Sequence, residues 1–240
     1  MDTNTIVGIA SVGEGVFWIL AYLLIVRRGL IDKSFGMPIV AVCGNIAWEF
    51  IMIALNESCP IQYDGCNTTM FWVRGAMAFI LDAGIVYTIW RYGPSQFRNP
   101  VIAKNLHKIL IFGVVMGLVL VWGMETTFFS ENIHDLPNLP QYIAADQQGG
   151  LFSGWVLEFN MDILLIFMII NRGNIKGQSI YIAIFKTIGT IFAYIISVGI
   201  KQNVPIIDWL FWITLVFNLF YIYLVYTYTK AEGINPWKRV

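Results

Sequence analysis

The sequence predicts an all-α, polytopic membrane protein, a bundle of seven transmembrane helices. Three observations predict it. Hydrophobic residues make up 58% of the chain and charged ones 12%, about half the charged share of an ordinary soluble domain. Apolar stretches of about 20 residues, the length a helix needs to cross a hydrocarbon core of roughly 30 Å, recur seven times along the chain. The segments between them alternate in charge. No low-complexity run or long linker interrupts the pattern, so residues 1–240 read as a single transmembrane domain.

The first span, Ile6 to Val26, is apolar except near Glu14. No basic region precedes it and a signal core would be continuously apolar, so it reads as a retained helix. The second, Met37 to Leu55, carries Asn45, Trp48 and Glu49, and the third, Met70 to Trp90, carries Arg74 and Asp82. The fourth, Ile109 to Phe129, contains Glu125, and the fifth, Leu151 to Ile170, contains Trp155, Glu158 and Asp162. Lys186 lies in the sixth, Ile180 to Ile200, and Asp208 opens the seventh, Ile207 to Tyr228.

Of the 15 basic residues, 12 fall in one set of connections: Arg27, Arg28, Lys33, Arg91, Arg98, Lys104, Lys108, Arg172, Lys176, Lys230, Lys238 and Arg239. The opposite set holds Asp2, Glu57, Asp64, Glu131, Asp135 and Asp146, with Lys201 its only base. The excess of positive charge on the cytoplasmic side of membrane proteins then puts the N-terminus outside and the C-terminus in the cytoplasm. That requires an odd number of spans. The protein is expected in a bacterial inner membrane or the endoplasmic reticulum membrane, with the bilayer as its surroundings. Its formal net charge of zero gives no basic field for nucleic acid.

No metal or cofactor is expected, because no second ligand pair stands at metal spacing. Cys43 lies within a span, while Cys59 and Cys66 share an outer loop and either pair there or remain free thiols. The sequons beginning at Asn56 and Asn67 also fall outside, close to span boundaries.

Charges inside the spans are costly and mark function by default. Counting about 1.5 Å per residue from each outer boundary puts Arg74 and Glu125 about 6 Å deep, Glu49 about 9 Å, Glu158 about 10 Å, Glu14 about 12 Å, Asp162 about 16 Å and Asp82 about 18 Å. Most of them occupy the outer half, and apolar residues seal the inner half. Helical spacing refines the picture: Asn45 and Glu49 are four residues apart, so the amide can reach the carboxyl, and Glu158 and Asp162 share a face in the same way. Arg74 and Asp82 stand two turns apart on similar faces, where Arg74 can neutralise an acid. Trp48 adjoins Glu49, Trp122 precedes Glu125, Trp155 precedes Glu158 and Trp209 follows Asp208. A ring face beside an acid stabilises a cation without attacking it.

An acid shielded from water, aromatic faces and no metal motif suit a reaction in which a lipid-like substrate is protonated and rearranges through carbocations. Neither a D-D-x-x-D run nor a D-x-D-D motif is present. The run Asn45-Ile46-Ala47-Trp48-Glu49-Phe50 resembles the N-x-x-W-E-F signature of the integral-membrane terpene cyclases of meroterpenoid pathways, of the pyripyropene and paxilline types and their bacterial relatives. The resemblance continues through Leu81-Asp82, Ile85-Val86-Tyr87-Thr88 and Arg91-Tyr92-Gly93-Pro94. It resumes at Gly177-Gln178-Ser179 and Lys186-Thr187-Ile188-Gly189-Thr190, with Lys186 where the family carries arginine. It implies that a prenylated aromatic or polyprenyl substrate, often with a terminal epoxide, is protonated and folded into rings. It further implies Glu49 as general acid and Asp208 as a second catalytic residue. Asn45, Trp48, Arg74, Asp82, Glu125, Trp155, Glu158 and Asp162 are the candidates for the surrounding substrate site.

A transporter is the competing reading, because Glu49-Phe50-Ile51-Met52 and Glu158-Phe159-Asn160-Met161 share E-F-x-M on spans running in opposite directions. A retinal protein would need a lysine in the last span, which has none; Lys186 either snorkels or pairs with an acid.

Overall fold

The computed structural model describes residues 3–55, 68–128, 151–199 and 205–240. Among these, seven α-helices follow one another: α1 (Thr3–Ile31), α2 (Ile39–Leu55), α3 (Thr68–Tyr92), α4 (Pro100–Phe128), α5 (Leu151–Arg172), α6 (Ile180–Gly199) and α7 (Pro205–Ala231). Single 3₁₀ turns follow α3 (Gly93–Gln96) and close the C-terminal tail (Pro236–Lys238). Six helices are long and apolar enough to cross a membrane, and α2 is a shorter apolar helix. At 17 residues it spans about 25 Å. Cys59, Cys66, Asn56 and Asn67 lie outside the described residues.

Helix boundaries match the expected spans closely, except that α4 begins nine residues before Ile109, at Pro100. A hydropathy reading sees only the apolar stretch. The local chemistry starts the helix earlier: the Asn99 side chain accepts from the Val101 N–H at 2.9 Å, and proline at the first helical position loses no intrahelical hydrogen bond. The extra turns carry Lys104, His107 and Lys108, and His107 stacks on Trp90 with ring centroids 4.1 Å apart.

Six helices close a ring. α1 lies along α6 and meets α3; α3 meets α2, α2 meets α5, α5 lies along α7, and α7 returns to α6. α4 stands outside the ring against α2. Gly113 and Gly117 make that seat: a Cβ on Gly117 would lie 2.5 Å from the Cys43 carbonyl oxygen. A bare stripe is what lets two helix backbones approach where lipid offers no hydrophobic drive. The bundle's outer surface is a belt of exposed large apolar side chains, among them Ile80, Phe112, Trp209 and Val216.

Within the ring the two halves differ. The half near the basic loops is packed with apolar side chains, including Met37, Ile85, Ile89, Leu165, Ile169 and Ile175, as expected of a sealed inner half. The loops lock it further. Arg28 and Arg239 both pair with Asp32, whose carboxylate also accepts from the Gly177 N–H at 2.8 Å. Arg172 donates to the Phe35 carbonyl at 2.7 Å and lies 3.9 Å above its ring. Gly177 adopts φ +79° and a Cβ there would meet the Phe35 carbonyl oxygen at 2.6 Å, so this backbone-to-backbone contact admits only glycine. The seal is not wholly apolar: buried Gln178 donates to the Gly36 carbonyl and accepts from the Tyr221 hydroxyl.

Candidate active site

Above this floor the polar residues gather in two groups on opposite walls of the ring. On the α1–α2–α3 side, Asn45 donates to the Tyr22 hydroxyl and to Asp82 Oδ2, both at 2.7 Å. The expected bond from Asn45 to Glu49 is therefore not made. Side chains on a helix lean toward its N-terminus, so the amide of Asn45 is aimed one layer deeper than Glu49, where Tyr22 and Asp82 wait. Asp82 is fully buried and its Oδ1 is unpartnered. Glu49 retains 9% exposure. Its carboxyl makes no hydrogen bond or ion pair among the described residues, and it lies within electrostatic range of Asp82, Arg74 and Glu14.

The α5–α6–α7 side contains a cation. Lys186 Nζ pairs with Asp162 and approaches Glu158 Oε1 at 3.3 Å and Asn218 Oδ1 at 3.1 Å. Two of those contacts, to Glu158 and Asn218, are hydrogen bonds. Asn218 Nδ2 donates to Asp162 Oδ2 at 3.2 Å, and the Thr190 hydroxyl donates to Glu158 Oε1. Of the two readings of Lys186, pairing holds: it is 2% exposed and does not snorkel. The pair Glu158 and Asp162 is on one face as expected, yet the ammonium between them relieves the like-charge conflict that spacing alone implies.

The remaining candidates lie nearer the end opposite the basic loops. Arg74 pairs with Glu14 across α1 and α3, as expected of a neutralising residue. Its stem crosses α1 at Gly15, where a Cβ would meet Arg74 Cδ at 2.7 Å. Asp208 accepts from the Tyr194 hydroxyl at 2.8 Å. Tyr194 stacks on Phe211 with centroids 3.8 Å apart, and Trp155 meets both rings edge-on. Trp155 is thus part of the Asp208 cluster, its indole N–H donating to Ser197 at 3.2 Å. Trp48 Nε1 donates to Ser153 at 2.9 Å and ties α2 to α5. Glu125 is on α4, outside the ring, and its side chain falls outside the described residues.

The two walls share one interior. Tyr22 lies within electrostatic range of Asp82, Glu49 and Glu158, and Glu14 within range of Glu158. Glu49, Asn45, Asp82, Glu158 and Asp162 are therefore brought together, while Asp208, Trp155 and Trp48 form the rim. Tyr22, Thr190, Tyr194 and Asn218 complete the site and were not singled out by the sequence reading. Asn218 had a signal: a lone amide about 16 Å into the span that opens at Ile207, at the depth counted for Asp162.

Residues 1–232 match the family model of the Pyr4-like transmembrane terpene cyclases. Among curated proteins the chain is 31% identical over 193 residues to the Pyr4-family terpene cyclase mfmH of Annulohypoxylon moriforme, covering 80% of this chain and 70% of that protein. It is 26% identical over 192 residues to the terpene cyclase ascF of Acremonium egyptiacum, covering 79% and 63%. It is 23% identical over 206 residues to the terpene cyclase atmB of Aspergillus flavus, covering 84% and 73%. The chain thus spans about two thirds of the length of these relatives, and no solved structure matches it. The three relatives named are terpene cyclases. With the family matched over residues 1–232 and a helix ring enclosing buried carboxyls, this integral membrane protein belongs to the Pyr4-like transmembrane terpene cyclases.

Proposed function

We propose that this terpene cyclase uses Glu49 to protonate a prenylated, lipid-soluble substrate and cyclises it through carbocations. One observation carries the reading: Glu49 is the interior carboxyl that combines residual exposure with no hydrogen bond or ion pair among the described residues. A proton on it is committed to no neighbour, so transfer to a bound alkene or epoxide breaks no existing contact. The acid O–H is exchanged for a new C–H bond on an alkene, or a new O–H bond on an epoxide whose C–O bond opens. The chain's π bonds then close the rings. Initiation of this kind needs no metal. The buried ring interior withholds the water that would capture a cation.

The substrate class is a prenylated aromatic or polyprenyl compound, with a terminal epoxide the more readily protonated variant. Asp208 is the second catalytic residue on this reading, acting with the Tyr194 hydroxyl it accepts from, and the rings of Trp155, Tyr194 and Phe211 hold the apolar chain near the rim. Trp48 and Arg74 border the same space. Asn45, Asp82, Glu158 and Asp162 form its walls. The N-terminus lies outside and the C-terminus in the cytoplasm, in a bacterial inner membrane or the endoplasmic reticulum membrane.

Membranes containing the protein, incubated with a farnesylated phenol with and without a terminal epoxide, should yield isomers of higher ring count. Glu49→Gln should form none while inserting normally. Ring formation by that variant at the unaltered rate would refute the assignment.

A further inference from the structure

We infer that Glu158 is the base that ends the reaction, taking the proton whose loss turns the last carbocation into an alkene. The inference rests on the cyclase reading above and assigns the step that Glu49 does not perform. Four carboxyls face the ring interior, and burial divides them: Asp82 and Asp162 are each 0% exposed, whereas Glu49 and Glu158 retain 9% and 8%. The aspartates are sealed behind their partners. The two glutamates keep a small accessible surface.

Their surroundings then separate the glutamates. Glu49 makes no ion pair among the described residues, and Arg74, the cation in its electrostatic range, pairs with Glu14. Glu158 receives Lys186 Nζ at 3.3 Å and the Thr190 hydroxyl, both on Oε1. Both contacts hold one edge of the carboxyl, so its orientation is set and the ammonium supplies the counter-charge of a carboxylate. Oε2 accepts no hydrogen bond among the described residues and is left for the substrate. Asp162 cannot serve, because Lys186 occupies Oδ1 and Asn218 occupies Oδ2. Asp208 is spoken for by Tyr194 at the rim.

In the closing step the C–H bond next to the cationic carbon breaks, its electron pair becomes the new C=C bond, and the proton passes to Oε2. One proton enters from Glu49 and one leaves to Glu158, so turnover consumes none, and exchange with water resets both groups. Environments that distinguish two carboxyls are the usual basis for dividing acid from base. Lys186 and Thr190 are positioning residues in this scheme.

The test compares product ratios from the epoxidised farnesylated phenol in membranes carrying wild type, Glu158→Gln, Glu158→Asp and Asp208→Asn. Because cyclisation precedes the final deprotonation, Glu158→Gln should consume substrate within about ten-fold of wild type, against the 10²-fold or greater loss typical of a missing general acid. Its products should shift to alkene isomers or water-captured alcohols. Glu158→Asp, which keeps the charge and withdraws it by one methylene, should shift the isomer ratio in the same direction, and it carries the test if the amide variant fails to insert. An unchanged isomer ratio in both Glu158 variants, or the same ratio change in Asp208→Asn alone, overturns the inference and leaves Glu49 untouched. Ring formation by Glu49→Gln at full rate sinks the underlying reading instead.

Discussion

On the α2–α3 wall an aspartate is held by an amide, and on the α5–α7 wall an aspartate is held by an ammonium. Asp82 accepts from Asn45 at 2.7 Å, while Asp162 is gripped by Lys186 and Asn218 together. Beside each stands a glutamate with a little exposure, and both glutamates begin an E-F-x-M run. What differs is the counter-charge. On the proposed reading, a glutamate with no ion pair stays free to donate its proton, and one held beside a buried cation is kept in one orientation as an acceptor. The difference also divides stability from chemistry, because a buried cation stripped of its partner is far more expensive than an amide stripped of one hydrogen bond.

The largest effect should come from Glu49→Gln, which removes the donor and keeps the shape. Turnover should fall by about 10²- to 10⁴-fold, read as product formed per unit of inserted protein. A fall of that size from Asp82→Asn, with Glu49→Gln mild, would move the donor one layer deeper and break the comparison.

Next in size is Asp162→Asn. It removes one of the two carboxyl partners of Lys186 and leaves Glu158, so it should cost less than the about 3–5 kcal/mol of a stranded buried charge, measured as unfolding in detergent micelles. Lys186→Met should be damaging for the converse reason, leaving two carboxyls with no cation, whereas Lys186→Arg should keep most of the stability and report on the fit of the pocket. Equal stability of Asp162→Asn and wild type would show that the ion pair does not hold this wall.

Asp82→Asn is the control on the other side. The Asn45 donor can still find an oxygen, so the loss should stay near the 0.6 kcal/mol typical of hydrogen bonds between membrane helices. If the same swap proves as costly on both walls, the distinction between them has no energetic basis. The smallest change is expected from Tyr194→Phe, which frees Asp208 at the rim. It should raise KM by roughly ten-fold or less, the worth of about one hydrogen bond, with kcat little altered in steady-state assays.

Much of the fold was legible because it depends on local quantities. Apolar length set the helices, and the alternation of basic and acidic connections set which ends share a side of the membrane. The early start of α4 was missed because Asn99, Pro100 and the charged first turns are capping chemistry rather than hydropathy. The acids of the site were legible as well, since a carboxyl in an apolar span stands out. Their partners were less so. Spacing within α2 suggested that Asn45 serves Glu49, and the bond goes to Tyr22 and Asp82 instead. Trp155 was read with Glu158, its neighbour in sequence, and it packs with Tyr194 and Phe211 beside Asp208.

Read alone, the sequence determined that the chain is helical, that it belongs in lipid, which spans carry carboxyls, and that Glu49 and Glu158 occupy matching runs. These follow from composition and from the rise of a helix, which are properties of each segment by itself. Only the tertiary structure decided that α4 stands outside the ring, that Lys186 answers Asp162 and Glu158, and that Arg74 pairs with Glu14 and not with Glu49. Those facts depend on which faces of distant helices meet. In a membrane that choice is made by small residues such as Gly113 and Gly117 and by a few buried polar contacts, whose partners no single span contains.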